Sequence, residues 1–366
     1  MAQVDEFLPQ WTSPPGRTIT DLMSVRKLSR DDLARLLGEP LQFVQNLLEG
    51  RETITLGLAR RLQDTIGGSA AFWMTRDKQY REDVSRLREA GMPWLRELPL
   101  VDMERFGWIP ADTPNGFEVE SVLRYFAVPS VQVWRARYAQ VLQEAAFRTS
   151  PTFDSMPGAV AAWLRQGERI AESMLSGPWD PDALQSTLAE LPALTRVRDP
   201  ERFIPKLQAA AGRCGVAVVV LRAPSGCRAS GAVQWLSDEK VLILLSGRHL
   251  TDDHLWFTFF HECGHLLLHR GSRFVLDAED EPETAMEEEA NQFAADILIP
   301  RSYRYALTRV RLETFDIVRL ATRIGISPGI VVAQLQRMGR LPQNHLNRLK
   351  RRFAWEGGKL VSRGTP

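Results

Sequence analysis

The stretch Trp256-Phe257-Thr258-Phe259-Phe260-His261-Glu262-Cys263-Gly264-His265-Leu266-Leu267-Leu268-His269 decides how this chain is read. Its apolar residues flank the polar centre on both sides, which predicts a largely buried helix. Two histidines four residues apart share one helix face, so both imidazoles can reach a single ion. The glutamate after the first histidine can hold a water on that ion. Cys263 points away from the pair. His254 lies two turns earlier on the same face, roughly 10 Å away at 1.5 Å per residue, which is outside ligand range.

A catalytic zinc site needs a third protein ligand and one open position. The extended pattern with a glycine and then a histidine at three-residue steps fails, because Leu268 and Gly271 stand at those places. His269 is one turn further along the axis, too far to join the first two ligands unless the helix breaks. A better donor lies in Met286-Glu287-Glu288-Glu289-Ala290-Asn291-Gln292-Phe293-Ala294-Ala295. Glu287, Ala290, Asn291, Ala294 and Leu298 share a face whose small residues permit close approach to the histidine helix. Glu287 is the preferred ligand and Glu289, on the face of Phe293, the fallback. Glu288 reads as a solvated residue of the helix start. Asn291, one turn after Glu287, could bond the free nitrogen of a liganding histidine. Zn2+ held there would bring the pKa of water toward about 7, with Glu262 taking the proton and passing it to a leaving amine. That chemistry is peptide-bond hydrolysis.

Working outward, VAVVVLR (216–222), AVQWL (232–236) and VLILLS (241–246) read as three short strands. Asp252 to His269 and Thr284 to Ile299 read as helices, and Phe315 to Phe353 as a final helical segment. Toward the N-terminus, residues 18–66 show apolar spacings of three and four, as in short helices. Ser29 with Asp32 forms a capping box, Gly38 a tight turn, and Pro40 the first position of a new helix. Residues 69–205 read as helical stretches broken by prolines. Trp94, Trp108, Trp134, Trp163 and Trp179 punctuate this region as packing residues rather than a ligand-stacking set. The fold class is α+β and predominantly helical. Four regions are expected: 1–85 of short helices, a helical middle at 86–205, a metal-binding domain with a small sheet at 206–312, and a helical C-terminal segment at 313–366.

Composition narrows the function. With 366 residues, about 150 per domain gives two or three domains. A 44% hydrophobic and 25% charged chain is not mainly disordered. The 46 basic and 45 acidic side chains exclude a uniformly basic nucleic-acid coat and leave room for a local basic face. Cys214, Cys227 and Cys263 are too few for a disulfide framework and suit a reducing cytosol. No apolar run approaches eighteen residues, so no membrane partner is expected. The opening MAQVDEFLPQWTSPPG lacks the basic and then apolar stretch of a signal peptide, which points to a cytoplasmic protein.

WFTFFHECGHLLLH followed by EEEANQFAADILIP resembles the ImmA/IrrE family of zinc metallopeptidases over about residues 200–310. The resemblance implies a compact thermolysin-like zincin core with His261, His265 and Glu287 as Zn2+ ligands and Glu262 as catalytic base. It also implies a specific protein substrate, a repressor or antitoxin-like regulator. LSRDDLARLLGEPLQFVQNLLEGRETIT, continuing to IGGSAAFWMTRDKQY, is similar to XRE-type helix-turn-helix domains of the HigA kind over residues 18–83. That implies a five-helix DNA-binding fold with Pro40 to Leu48 as recognition helix. Gln42 and Gln45 would then meet adenine edges of double-stranded operator DNA, and Arg26, Lys27, Arg30 and Arg51 its phosphates. The segment IVRLATRIGISPGIVVAQLQRMGRL (317–341) has a similar rhythm, and either touches nucleic acid or packs on the catalytic core.

Two functions follow. One is a site-specific zinc endopeptidase fused to a DNA-binding domain, acting in transcription regulation or toxin–antitoxin control. The other is a non-catalytic helix-turn-helix regulator or antitoxin whose zincin-like domain binds a ligand or partner. The general base Glu262 favours the first, since a structural zinc has no use for one. A self-cleaving form would use the proline-broken stretch Thr149 to Gly158. A homodimer is expected only because helix-turn-helix proteins usually read paired half-sites.

Overall fold

The computed structural model describes residues 13–111, 118–139, 156–269, 274–278 and 284–363. The chain divides into two compact units, residues 1–140 and 141–366. It is predominantly helical with a small mixed sheet.

The first unit opens with five helices: α1 (Pro15–Arg26), α2 (Arg30–Leu37), α3 (Leu41–Leu48), α4 (Leu56–Ile66) and α5 (Ala70–Leu95). Ser29 caps α2, accepting from the Asp32 amide while the Asp32 carboxylate accepts from the Ser29 amide. Gly38 takes φ +67° and turns the chain between α2 and α3, a conformation other residues adopt at a cost. Pro40 sits one place earlier than expected, as the residue before α3 rather than its first. Ile19, Leu33, Val44, Leu47, Leu58, Leu62, Ile66 and Trp73 close a core among these helices. α5 runs ten residues beyond the expected limit at 85, passing through Pro93. Further on in the same unit Trp94 packs edge-on against Trp134 at 5.3 Å and both are buried, as packing residues should be.

The second unit carries the sheet. Strands β1 (Val216–Val220), β2 (Ala229–Ser237), β3 (Lys240–Leu245) and β4 (Phe274–Ala278) lie in the order β1-β3-β2-β4. β1 and β3 are parallel, and β2 runs antiparallel to both its neighbours. β3 is buried along almost its whole length because both faces are covered. Val241, Ile243 and Leu245 join the core that includes Trp256, Phe259 and Phe260 of the histidine helix, Asp252–Leu268. Leu244 points the other way, where a Cβ on Gly167 of the helix Pro157–Ser173 would come within 2.6 Å of it. The glutamate helix, Ala285–Leu298, follows.

Three expectations change here. β4 is a fourth strand. The C-terminal region is not helical throughout: after the helices Thr314–Ile324 and Pro328–Arg337 it ends in a hairpin of β5 (Phe353–Glu356) and β6 (Lys359–Ser362). Nor is 313–366 a separate segment, since one core runs from Leu184 to Leu360 and takes in Ile317, Ile330, Leu335 and Phe353. The helix Pro328–Arg337 buries Ile330, Val331, Val332 and Leu335, so the apolar positions of the rhythm at 317–341 pack into the core. The expected self-cleavage stretch falls largely at residues 149–155, outside the described residues.

A buried aspartate ties this C-terminal part to the histidine helix. Asp252 is 1% exposed and accepts from Ser327 Oγ at 2.5 Å, Arg351 N at 2.9 Å and Asp253 N at 3.0 Å. Burial pushes its carboxyl up to about 6, helped by the neighbouring Asp253 and opposed by Ser327 and Arg351. The unfolded carboxyl titrates lower, so between the two values the folded state holds the extra proton. The Asp252 contribution is thus fully present below about pH 4 and lost as pH rises through 6, by about 3 kcal/mol at most. Asp252→Asn is expected to remove this dependence. Urea unfolding of both proteins from pH 4 to 7.5 checks it, and parallel stability curves would sink the assignment.

Candidate metal centre

The histidine helix places His261 and His265 one turn apart, and their Nε2 atoms face each other at 2.9 Å. The glutamate helix brings Glu287 to both: Oε2 lies 3.1 Å from His261 Nε2 and Oε1 3.4 Å from His265 Nε2. These are the three residues that the described part of the chain gathers as a candidate metal-binding group. Bonds of about 2.0–2.1 Å to a tetrahedral zinc imply ligand spacings of roughly 3.3 Å, close to what these side chains show. Two imidazoles and a carboxylate, with a cleft on the remaining side, are a donor set that fits a metal ion. Burial would raise the Glu287 carboxyl, but the two histidine rings more than reverse this and hold it well below the ordinary range.

Close packing of the two helices makes this possible. A Cβ on Gly264 would meet the Ala290 Cα at 3.1 Å and a Phe293 ring carbon at 3.2 Å. The small face read from Ala290 and Ala294 is buried as expected. Thr284 caps the glutamate helix, accepting from the Glu287 amide at 3.2 Å and so fixing where its first turn begins.

Glu262 is fully buried on the sheet side of its helix. β2 leaves room for it at Gly231, where a Cβ would stand 2.1 Å from Glu262 Oε1. The next residue back, Ser230, lines a cleft of about 470 Å3 that His261, Glu287 and Asn291 also line. Cys263 is buried and its thiol is pushed well above its usual range by burial, so it is a packing residue.

His269 and Glu289 take a part that their spacing did not suggest. A His265 that presents Nε2 to an ion keeps its proton on Nδ1, and that atom lies 3.0 Å from His269 Nδ1. His269 Nε2 in turn lies 3.1 Å from Glu289 Oε2. Glu289, the fallback ligand, therefore ends a chain behind His265 instead of joining the three donors. Asn291 lines the cleft, yet among the described residues no hydrogen bond joins it to a histidine; behind His265 that place belongs to His269. The missed signal was the third histidine at a further four-residue step. His269→Ala is expected to weaken metal binding about 10- to 100-fold while leaving all three donors in place. Competition against a chelator of known affinity measures this, and an unchanged affinity would mean that the helix alone sets the ring.

The sequence-predicted DNA contacts lie in the first unit. Gln42 and Gln45 are exposed on α3, the first donating to Asn46 Oδ1 at 3.1 Å and the second to Glu49 Oε1 at 3.3 Å. Arg30 is exposed at the start of α2, and Arg51 pairs with Glu49.

A small mixed sheet, two closely packed helices and a His–His–Glu donor set are consistent with a metallopeptidase-like domain. Residues 216–336 match the peptidase family described as IrrE N-terminal-like domain, which supports the ImmA/IrrE resemblance for that segment. The match includes the sheet, both helices and all three donors. No curated protein matches the chain. No described helix is long and apolar enough to cross a membrane.

Proposed function

We propose that this chain is a site-specific zinc endopeptidase with an N-terminal helix-turn-helix domain, and that it regulates transcription by cutting a repressor or antitoxin-like protein. The observation that carries this reading is the meeting of His261, His265 and Glu287 beside Glu262, inside the segment that matches a peptidase family. Zinc bound by the three donors would supply an activated water and polarise the scissile carbonyl. Glu262 is the residue that would take a proton from the attacking water and deliver it to the leaving nitrogen. His269 and Glu289 hold the His265 ring in place. The cleft admits the substrate chain alongside Ser230 and Thr258.

In the same reading α3 enters the major groove of operator DNA. Gln42 and Gln45 meet base edges and Arg30 and Arg51 meet phosphates, and a cytoplasmic homodimer would span paired half-sites. One observation favours the second reading, a regulator that binds a partner and cuts nothing: the full burial of Glu262. The deciding experiment loads the full chain with zinc and incubates it with the DNA-binding regulators encoded beside its gene, with and without operator. Mass spectrometry reads the cleavage products, and gel shift reads the DNA. One zinc per chain with a single cut supports the peptidase. One zinc with no cut and intact DNA binding supports the regulator.

A further inference from the structure

The outer side of the helix Thr314–Ile324 serves neither the core nor the metal centre. Its inner side buries Ile317, Leu320 and Ala321, while Phe315, Arg319 and Arg323 stand exposed at four-residue steps along the opposite side. Phe315 leaves 73% of its surface in water, and the Arg319 guanidinium carbon lies 5.8 Å from the centre of its ring. At the other end of the stripe the Arg323 guanidinium carbon lies 5.7 Å from the Tyr303 ring, whose hydroxyl donates to the Arg323 carbonyl at 3.2 Å. A third pair of the same kind stands on the preceding helix, Arg304–Arg309. There the Arg309 guanidinium carbon lies 5.6 Å from the ring of Tyr305, which is 74% exposed.

Charge follows the same surface. Residues 301–323 hold six arginines against Glu313 and Asp316, in a chain whose charges otherwise nearly cancel. Asp296 accepts from Arg301 and Arg304, and Asp316 pairs with Arg319 at 3.1 Å. An exposed pair of that kind holds an arginine only weakly. Among the described residues no carboxylate pairs with Arg309, Arg311 or Arg323.

One aromatic ring beside one guanidinium, three times over, matches the repeat of a single-stranded nucleic acid, which presents one base and one phosphate per unit. An acidic peptide supplies carboxylates without a flat partner at each step, and a duplex supplies phosphates but keeps its bases stacked on one another. We propose that Tyr303, Tyr305 and Phe315, with Arg309, Arg319 and Arg323, bind single-stranded nucleic acid without sequence preference. Bases stack on the rings or on the guanidinium planes laid over them, and phosphates meet the arginine N–H groups. This contact is separate from the major-groove reading of the first unit, and it needs neither zinc nor cutting.

The test uses the full chain and a fluorescent oligothymidylate of about twenty nucleotides, followed by anisotropy across a salt series. The wild type is expected to bind it. Arg319→Gln combined with Arg323→Gln should weaken binding about tenfold or more. It should also lower the slope of log affinity against log salt by about 1.4, because each phosphate contact on a single strand contributes about 0.7. Arg319→Lys combined with Arg323→Lys should restore that slope. Phe315→Ala should cost about tenfold, and Phe315→Trp should keep the affinity or raise it. These side chains face solvent, and a thermal melt of each variant verifies that the fold is intact. A blunt duplex of the same length should lose nothing on Phe315→Ala, since its bases are not open to stacking. No binding by the wild type, binding that ignores the arginine substitutions, or an equal Phe315→Ala loss for strand and duplex overturns the proposal. A glutamate peptide of equal charge that binds more tightly, and is lost in the same arginine variant, also overturns it and makes the stripe a dock for acidic protein. Cutting and zinc content are read on the same preparations, so failure here leaves the peptidase reading standing, and the reverse.

Discussion

Glu262→Gln is expected to keep its zinc and lose peptide hydrolysis by a factor of about 10²–10⁴, the usual contribution of a positioned acid–base group. Glutamine has the size and hydrogen-bonding edge of glutamate but cannot accept a proton at neutral pH. His261, His265 and Glu287 are untouched, so metal content should stay at the wild-type level. Glu262 is fully buried, and replacing a buried carboxylate by a neutral amide lowers the cost of burial instead of raising it, so the fold should survive. Metal analysis and initial cleavage rates, run on the same preparations, give the comparison. A variant that cuts at the wild-type rate would place the base elsewhere. If neither protein cuts any regulator or peptide, the partner-binding reading gains what the peptidase loses.

The metal centre was legible because its determinants are local. His261 and His265 share a face by helical geometry alone, and Ala290 and Ala294 mark the close approach of the neighbouring helix within a few residues of Glu287. The His265–His269–Glu289 chain was not legible, because it depends on side-chain rotamers and on how far the two helices overlap. Asn291 has suitable spacing, but spacing does not reveal what else stands behind the ring. The C-terminal hairpin had a readable signal that was passed over. Gly357 and Gly358 both take positive φ between two short strands, a two-residue turn of the kind hairpins favour. The fate of residues 317–341 could not be settled by their apolar rhythm, since the same pattern suits a reading helix and a buried one. Ile330, Val331 and Leu335 form the buried face of that pattern in the core.

Gly231→Ala should separate the fit of Glu262 from its chemistry. A Cβ at this position would stand 2.1 Å from Glu262 Oε1 and 2.7 Å from Thr258 Cγ2, so something must shift. The backbone has little freedom to yield. Gly231 lies inside β2 and pairs with Leu245 of β3 on one side and Asp277 of β4 on the other. The displacement therefore falls on the Glu262 carboxylate and the Thr258 methyl. Overpacking of this kind costs about 1–3 kcal/mol, and denaturant unfolding will read it. Hydrolysis should fall toward the level of Glu262→Gln, since the base is pushed from its place, while zinc affinity holds because the atoms nearest the new methyl belong to Glu262 and Thr258 rather than to the three donors. Wild-type stability and rate in Gly231→Ala would mean that the carboxylate is not confined by β2. The cause can be isolated with a second substitution. In a Glu262→Ala background the larger of the two clashes is gone, so Gly231→Ala should cost markedly less stability there than in the wild type. Additive losses would instead place the strain on Thr258 or on the strand itself.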